Sequence, residues 1–102
     1  MSANRVCLTL LAPRALEDTL VDAILANAGD TAGFTVTSTD AVGPMFALRG
    51  DRELVRGRSE RIRIDTLLDE PDARALLDQL RATVRADVRW WLAPVLAEGT
   101  LS

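Results

Sequence analysis

The chain has 102 residues, 48% of them apolar and 26% charged, with a net charge of -3 and neither histidine nor tyrosine. That length supplies one domain, residues 1–102, with no room for a second, and the apolar content excludes a disordered chain. The missing histidine and tyrosine remove the usual general base and most imidazole metal sites, and the acidic balance excludes a generic nucleic-acid binder.

A first strand is expected from Val6 to Ala12, where Val6, Leu8 and Leu10 alternate with Cys7, Thr9 and Leu11. Both faces are apolar or neutral, which suits the interior of a sheet. This apolar run is far shorter than the ~20 residues that cross a bilayer, and the N-terminus has no basic patch leading into a signal-peptide core. A cytoplasmic protein without membrane insertion is expected. Cys7 is the single cysteine, so no internal disulfide can form and it is assigned as a small buried filler.

Pro13 is expected to open a first helix, with Leu16, Leu20, Ala23 and Ile24 on its apolar stripe and Glu17, Asp18 and Asp22 on the other side. Gly29 supplies its cap and Asp30 a turn. Gly33 to Val42 predicts a second strand, with Phe34 and Val36 on one face and Thr35, Thr37 and Thr39 on the other. Gly43 and Pro44 break that pattern, and residues 43–57 form an excursion longer than a hairpin turn. Phe46, Leu48, Leu54 and Val55 suggest that part of it packs or makes a helical turn.

The third strand, from Gly57 or Arg58 to Leu68, is expected at the centre of the sheet. It places Ile62, Ile64, Thr66 and Leu68 on one face and Arg61, Arg63, Asp65 and Leu67 on the other. Asp69 to Asp72 then start a second helix with Ala73, Leu76, Leu77, Leu80 and Val84 facing inward. Val88 to Leu96 is expected as the fourth strand; because Pro94 cannot donate to a ladder, either the strand is an edge or the proline sits at its bulged end.

The order strand, helix, strand, strand, helix, strand predicts an α+β fold. It is the ferredoxin-like βαββαβ sandwich, a four-stranded antiparallel sheet with two helices on one face and strands one and three central. The open face is then too apolar to stay fully wet. Trp90 and Trp91 point to opposite faces, so one of them is assigned to a contact between subunits, the alternative being that one is simply half exposed at an edge.

Charge is distributed unevenly. From Arg49 to Arg63, six arginines meet three acids for a local +3, while the other residues carry -6. The alternative to a binding function is a solvated face in which these arginines pair with Asp51, Glu53 and Glu60. All basic residues are arginine, so the informative feature is their density rather than their type. Asp69, Glu70 and Asp72 are explained by helix capping, and no metal ligands or catalytic residues are assigned.

The segments VCLTLLAP (Val6 to Pro13), VRGRSERIRI (Val55 to Ile64) and RWWLAPVLAEGTL (Arg89 to Leu101) resemble the PII-like superfamily, which includes the nitrogen-regulatory PII proteins. More closely, they resemble a small uncharacterised PII-like family whose genes often lie beside heavy-metal efflux systems. The resemblance implies a homotrimer with inward-facing sheets, ligand clefts between subunits, and a T-loop-like, partner-binding segment between Val42 and Gly57. In PII proteins the clefts bind adenine nucleotides with help from a glycine-containing basic loop between helix two and strand four. Here that connection is Arg85, Ala86 and Asp87, without glycine or lysine, so the fold and the sensor class carry over but the nucleotide does not.

The function expected is that of a regulatory, non-enzymatic protein. It senses a small anion or nucleotide through Arg56, Arg58 and Arg61, contacts a protein partner through Arg49 and Arg52, and assembles through Trp90 or Trp91. No cofactor is specified. A ligand-free interaction module is the alternative, and a cofactor-independent ferredoxin-like enzyme using Asp65 or Glu60 is the third reading.

Overall fold

A computed structural model describes residues 4–28, 33–85 and 87–101. Strand β1 (Arg5–Pro13) leads through a 3-10 turn (Arg14–Leu16) into helix α1 (Glu17–Ala28). Strand β2 (Phe34–Ala41), helix α2 (Gly50–Arg56) and strand β3 (Ser59–Asp69) follow, then helix α3 (Glu70–Thr83) and strand β4 (Arg89–Pro94). The four strands form one antiparallel sheet in the order β2-β3-β1-β4. This is the expected ferredoxin-like arrangement with one more helix, α2, inside the excursion. The expected cap at Gly29, the turn at Asp30 and Ala86 in the α3–β4 connection lie outside the described residues.

Helices α1 and α3 cover one face because their apolar stripes match the alternation of the central strands. Leu8, Leu10, Ala12, Ile62 and Ile64 from the sheet meet Leu20 and Ile24 of α1 and Ala73, Leu76, Leu77 and Leu80 of α3, all buried. Each such Leu or Ile contributes about 1.5–3 kcal/mol on leaving water. Thr66 belongs to the same face and is tolerated there because its hydroxyl donates to the carbonyl of Gly33 at 3.0 Å.

Several boundaries differ from the sequence reading. Pro13 ends β1 rather than opening the helix: its ψ of 141° is extended, and it pairs with Arg61 at the last position of the register. Val84 takes an extended conformation and stops α3, its amide closing on the Leu80 carbonyl at 2.8 Å. At β4, Trp90 lies opposite Leu10 on the helix-covered face and Trp91 opposite Thr9 on the open face. Both residues are 41% exposed.

Candidate functional site

The connection between β2 and β3 is built on one carboxylate. Glu53 of α2 is buried, with 8% exposure. Its Oε1 accepts the Arg49 amide at 2.8 Å and its Oε2 the Glu60 amide at 2.9 Å. The first bond closes the start of α2, and the second fastens the helix to the beginning of β3. These two amides, Glu60 first and Arg49 second, hold the Glu53 carboxyl below the ordinary glutamate range. Gly57 then reverses the chain at φ 66°, a left-handed cap, and donates to the Glu53 carbonyl at 2.8 Å.

The apolar residues expected to pack this segment divide. Phe46 is half-buried, whereas Leu54 and Val55 face solvent, Val55 at 87% exposure. The anchor of the loop is thus an acid, which a search for apolar periodicity does not find.

The arginine-rich stretch, continuous in sequence, separates into distinct environments. Glu60 and Arg61 are neighbours in a strand and therefore point to opposite faces. Glu60 lies across from Asp40 in the β2–β3 register, and four arginines surround this pair of acids. Arg56 donates to Asp40 at 2.9 Å, with Arg58 3.9 Å from the same carboxylate. Arg14 donates to Glu60 at 3.0 Å, and Arg52 lies 3.3 Å from it. Four cations around two anions leave a net charge of +2 in a basin whose arginine side chains remain 40% or more exposed.

Arg61 goes elsewhere. It has 0% exposure, donates from Nε to Ser59 Oγ at 2.8 Å, and uses Nη1 and Nη2 on the Asp87 carbonyl and carboxylate at 2.9 and 3.0 Å. The Phe46 ring lies over it, 5.2 Å from guanidinium carbon to centroid. The three arginines expected to bind one ligand are therefore not together: Arg56 and Arg58 share the basin, while Arg61 is enclosed on the other side of the sheet. Arg52 joins the basin, and the exposed Arg49 side chain stands at the start of α2.

The open face carries its own polar cluster. Asp65 accepts Thr9 Oγ1 at 2.6 Å and Arg63 Nε at 2.9 Å, and Arg63 in turn lies 5.7 Å from the Trp91 ring. Partial burial works to raise the Asp65 carboxyl, but hydrogen bonds from Arg63 and then Thr9 outweigh it and hold the group below the ordinary aspartate range. Asp65 is thus an ion-paired acceptor rather than a poised base. On the opposite face Trp90, Leu80, Val84 and Val88 line a shallow apolar groove.

The solvated pairing considered from sequence occurs in part, but with different acids. Glu60 pairs, Glu53 is taken by backbone amides, and Asp40 from β2 supplies the second carboxylate. Arg14, Asp40 and Asp87 were missed because they lie on other elements, and only strand register brings them to the loop. Among the described residues no group of three His, Cys, Asp or Glu side chains is arranged for a metal, and no helix is long and apolar enough to cross a membrane.

Comparison with known structures supports this architecture. A DUF3240 family protein from Shewanella baltica OS155 superposes with a TM-score of 0.75 at 21% identity, covering 100% of both chains. A candidate PII-like signaling protein from Thermus thermophilus matches with a TM-score of 0.65 and 26% identity, over 93% of this chain and 91% of that one. CPII, a nitrogen regulatory PII-like protein from Thiomonas intermedia K12 bound to ADP, AMP and bicarbonate, matches with a TM-score of 0.69 at 15% identity, covering 95% and 96%. No curated protein matches the chain in sequence. The DUF3240 family model, described as a protein of unknown function, matches residues 2–102, and the chain belongs to that family.

Proposed function

We propose that this protein is a PII-like regulator that binds a small anion in the arginine basin beneath the β2–β3 loop and passes the event to a protein partner through that loop. The observation that carries this reading is the ring of Arg14, Arg52, Arg56 and Arg58 around only two acids, Asp40 and Glu60. Guanidinium groups with spare donors take a phosphate or carboxylate in bidentate geometry. An anion there would draw Arg52 and Arg56 of α2 toward β2 and so reset the position of α2 and the exposed Arg49 beside it. The role is non-catalytic, with Asp65 already committed to Arg63 and Thr9.

The similarity to PII-like signalling structures supports the regulatory class. It also makes ADP, AMP, bicarbonate and acetate, the molecules held by CPII, the first probes to try. A homotrimer with the Trp91 face turned inward completes the proposal. Thermal unfolding followed by tryptophan fluorescence, with each probe at ~100 times its dissociation constant, is expected to show a stabilisation of ~2.7 kcal/mol for the true ligand. Arg56→Ala with Arg58→Ala removes that shift. A panel without any shift would favour the ligand-free interaction module instead.

A further inference from the structure

The partners of the buried ion pair have unequal surroundings. The Arg61 side chain is fully enclosed, whereas 37% of the Asp87 side chain remains in contact with solvent. The cation is fixed in place, but its anion sits at the surface and can turn into water. Releasing Asp87 would leave the buried guanidinium with only the Glu53 carboxylate, which makes no hydrogen bond to it, as a neighbouring anion, and that is unfavourable. The position therefore favours a hydrogen-bonded anion on the fork, but that anion need not be Asp87.

The planar fork of Arg61 can donate to a carboxylate or phosphate oxygen as well as it donates to an aspartate. We propose that Arg61, Ser59 and Phe46 form a buried anion site whose resident occupant is the chain's own Asp87, and that a small carboxylate or phosphate enters by exchanging with it. Nη2 passes from Asp87 Oδ2, 3.0 Å away, to the incoming oxygen, while Nε keeps Ser59 Oγ at 2.8 Å. The released Asp87 carboxylate is hydrated where it already touches solvent.

The exchange reaches both segments that rest on this guanidinium. Phe46 belongs to the loop after β2 and lies over Arg61; Asp87 belongs to the connection before β4 and holds Arg61 through its carbonyl as well. An incoming anion loosens the second segment and meets the ring of the first, so both change together. The inference goes beyond the basin reading: it adds a separate anion site across the sheet from Asp40 and Glu60.

The test is a titration of Asp87→Asn with inorganic phosphate and with acetate at constant ionic strength, read by thermal unfolding. The variant is expected to melt lower than wild type in chloride, to recover with phosphate or acetate, and to bind one of them at least tenfold more tightly than wild type. Adding Arg61→Met to Asp87→Asn is expected to abolish the response. Equal affinities in wild type and Asp87→Asn, or a response that survives Arg61→Met, would overturn the exchange.

If the response disappears instead with Arg56→Ala and Arg58→Ala while Arg61→Met retains it, the basin reading stands and the exchange falls. A response that needs Arg61 but not Arg56 or Arg58 supports the exchange and removes the basin. The unaltered chain gives an independent reading should Asp87→Asn not fold. Saturating phosphate is expected to change the rate of chymotryptic cleavage after Phe46, and an unchanged rate would overturn the exchange.

Discussion

Glu53 shows how much of a loop can depend on one side chain. Its two oxygens satisfy two backbone amides eleven residues apart, Arg49 and Glu60. Because these bonds lower its pKa in the folded state, the stability they confer is complete above the unfolded value, about 4.3 for glutamate. It is lost as pH falls from there through the lower folded value. Asp65, also lowered, acts in the same direction. An acid titration of wild type by circular dichroism is expected to show stability falling below about pH 4.3. Glu53→Gln should lessen that dependence and lower stability at pH 7, since one end of the amide presents a donor to a backbone donor. In the core, Leu8→Ala is expected to cost about 2–5 kcal/mol by chemical denaturation, because Leu8 lies at 0% exposure between the sheet and its helices.

At the scale of an element, α2 is a seven-residue helix, too short to persist without tertiary support. What retains it is Glu53 at its centre, Arg52 and Arg56 on the basin acids, and the left-handed Gly57 at its end. Gly57→Ala has room for the added methyl but must take a positive φ, at a cost of about 1 kcal/mol. Denaturant midpoints would measure this directly. Arg52→Ala is expected to cost less than about 1 kcal/mol, since an exposed ion pair is screened and its side chain is otherwise free. The effect of these substitutions on ligand affinity should exceed their effect on stability.

For the whole molecule, the covered face and the open face make different predictions about the tryptophans. Trp90 borders the groove between α3 and β4, next to Arg81 at 5.7 Å, whereas Trp91 joins Arg63, Asp65 and Thr9 on the uncovered side. If three copies meet through the open face, light scattering should give three times the 11.1 kDa chain mass. Trp91→Glu should reduce it to that of a monomer by removing the aromatic contact and adding a second carboxylate to the face that carries Asp65. Trp90→Ala should lower the melting temperature and leave the mass unchanged. A monomeric wild type would end the trimer proposal, and a trimer unaffected by Trp91→Glu would move the interface elsewhere.

Order and type of the main elements were legible in the sequence because strand and helix periodicities are local: Ile62, Ile64, Thr66 and Leu68 declare a covered strand, and Leu76, Leu77 and Leu80 its helix. The adjacent tryptophans had to diverge for the same local reason. The grouping of charges was not local. Alternation across the sheet separated Glu60 from Arg61, register brought Asp40 to Glu60, and the path of the chain before β4 delivered Asp87 to a buried guanidinium. Arginine density in this loop is a property of the sequence; which acids these side chains meet, and that Arg61 alone among them is enclosed, follow from the tertiary structure, because long-range pairing brings Asp40 and Asp87 to them.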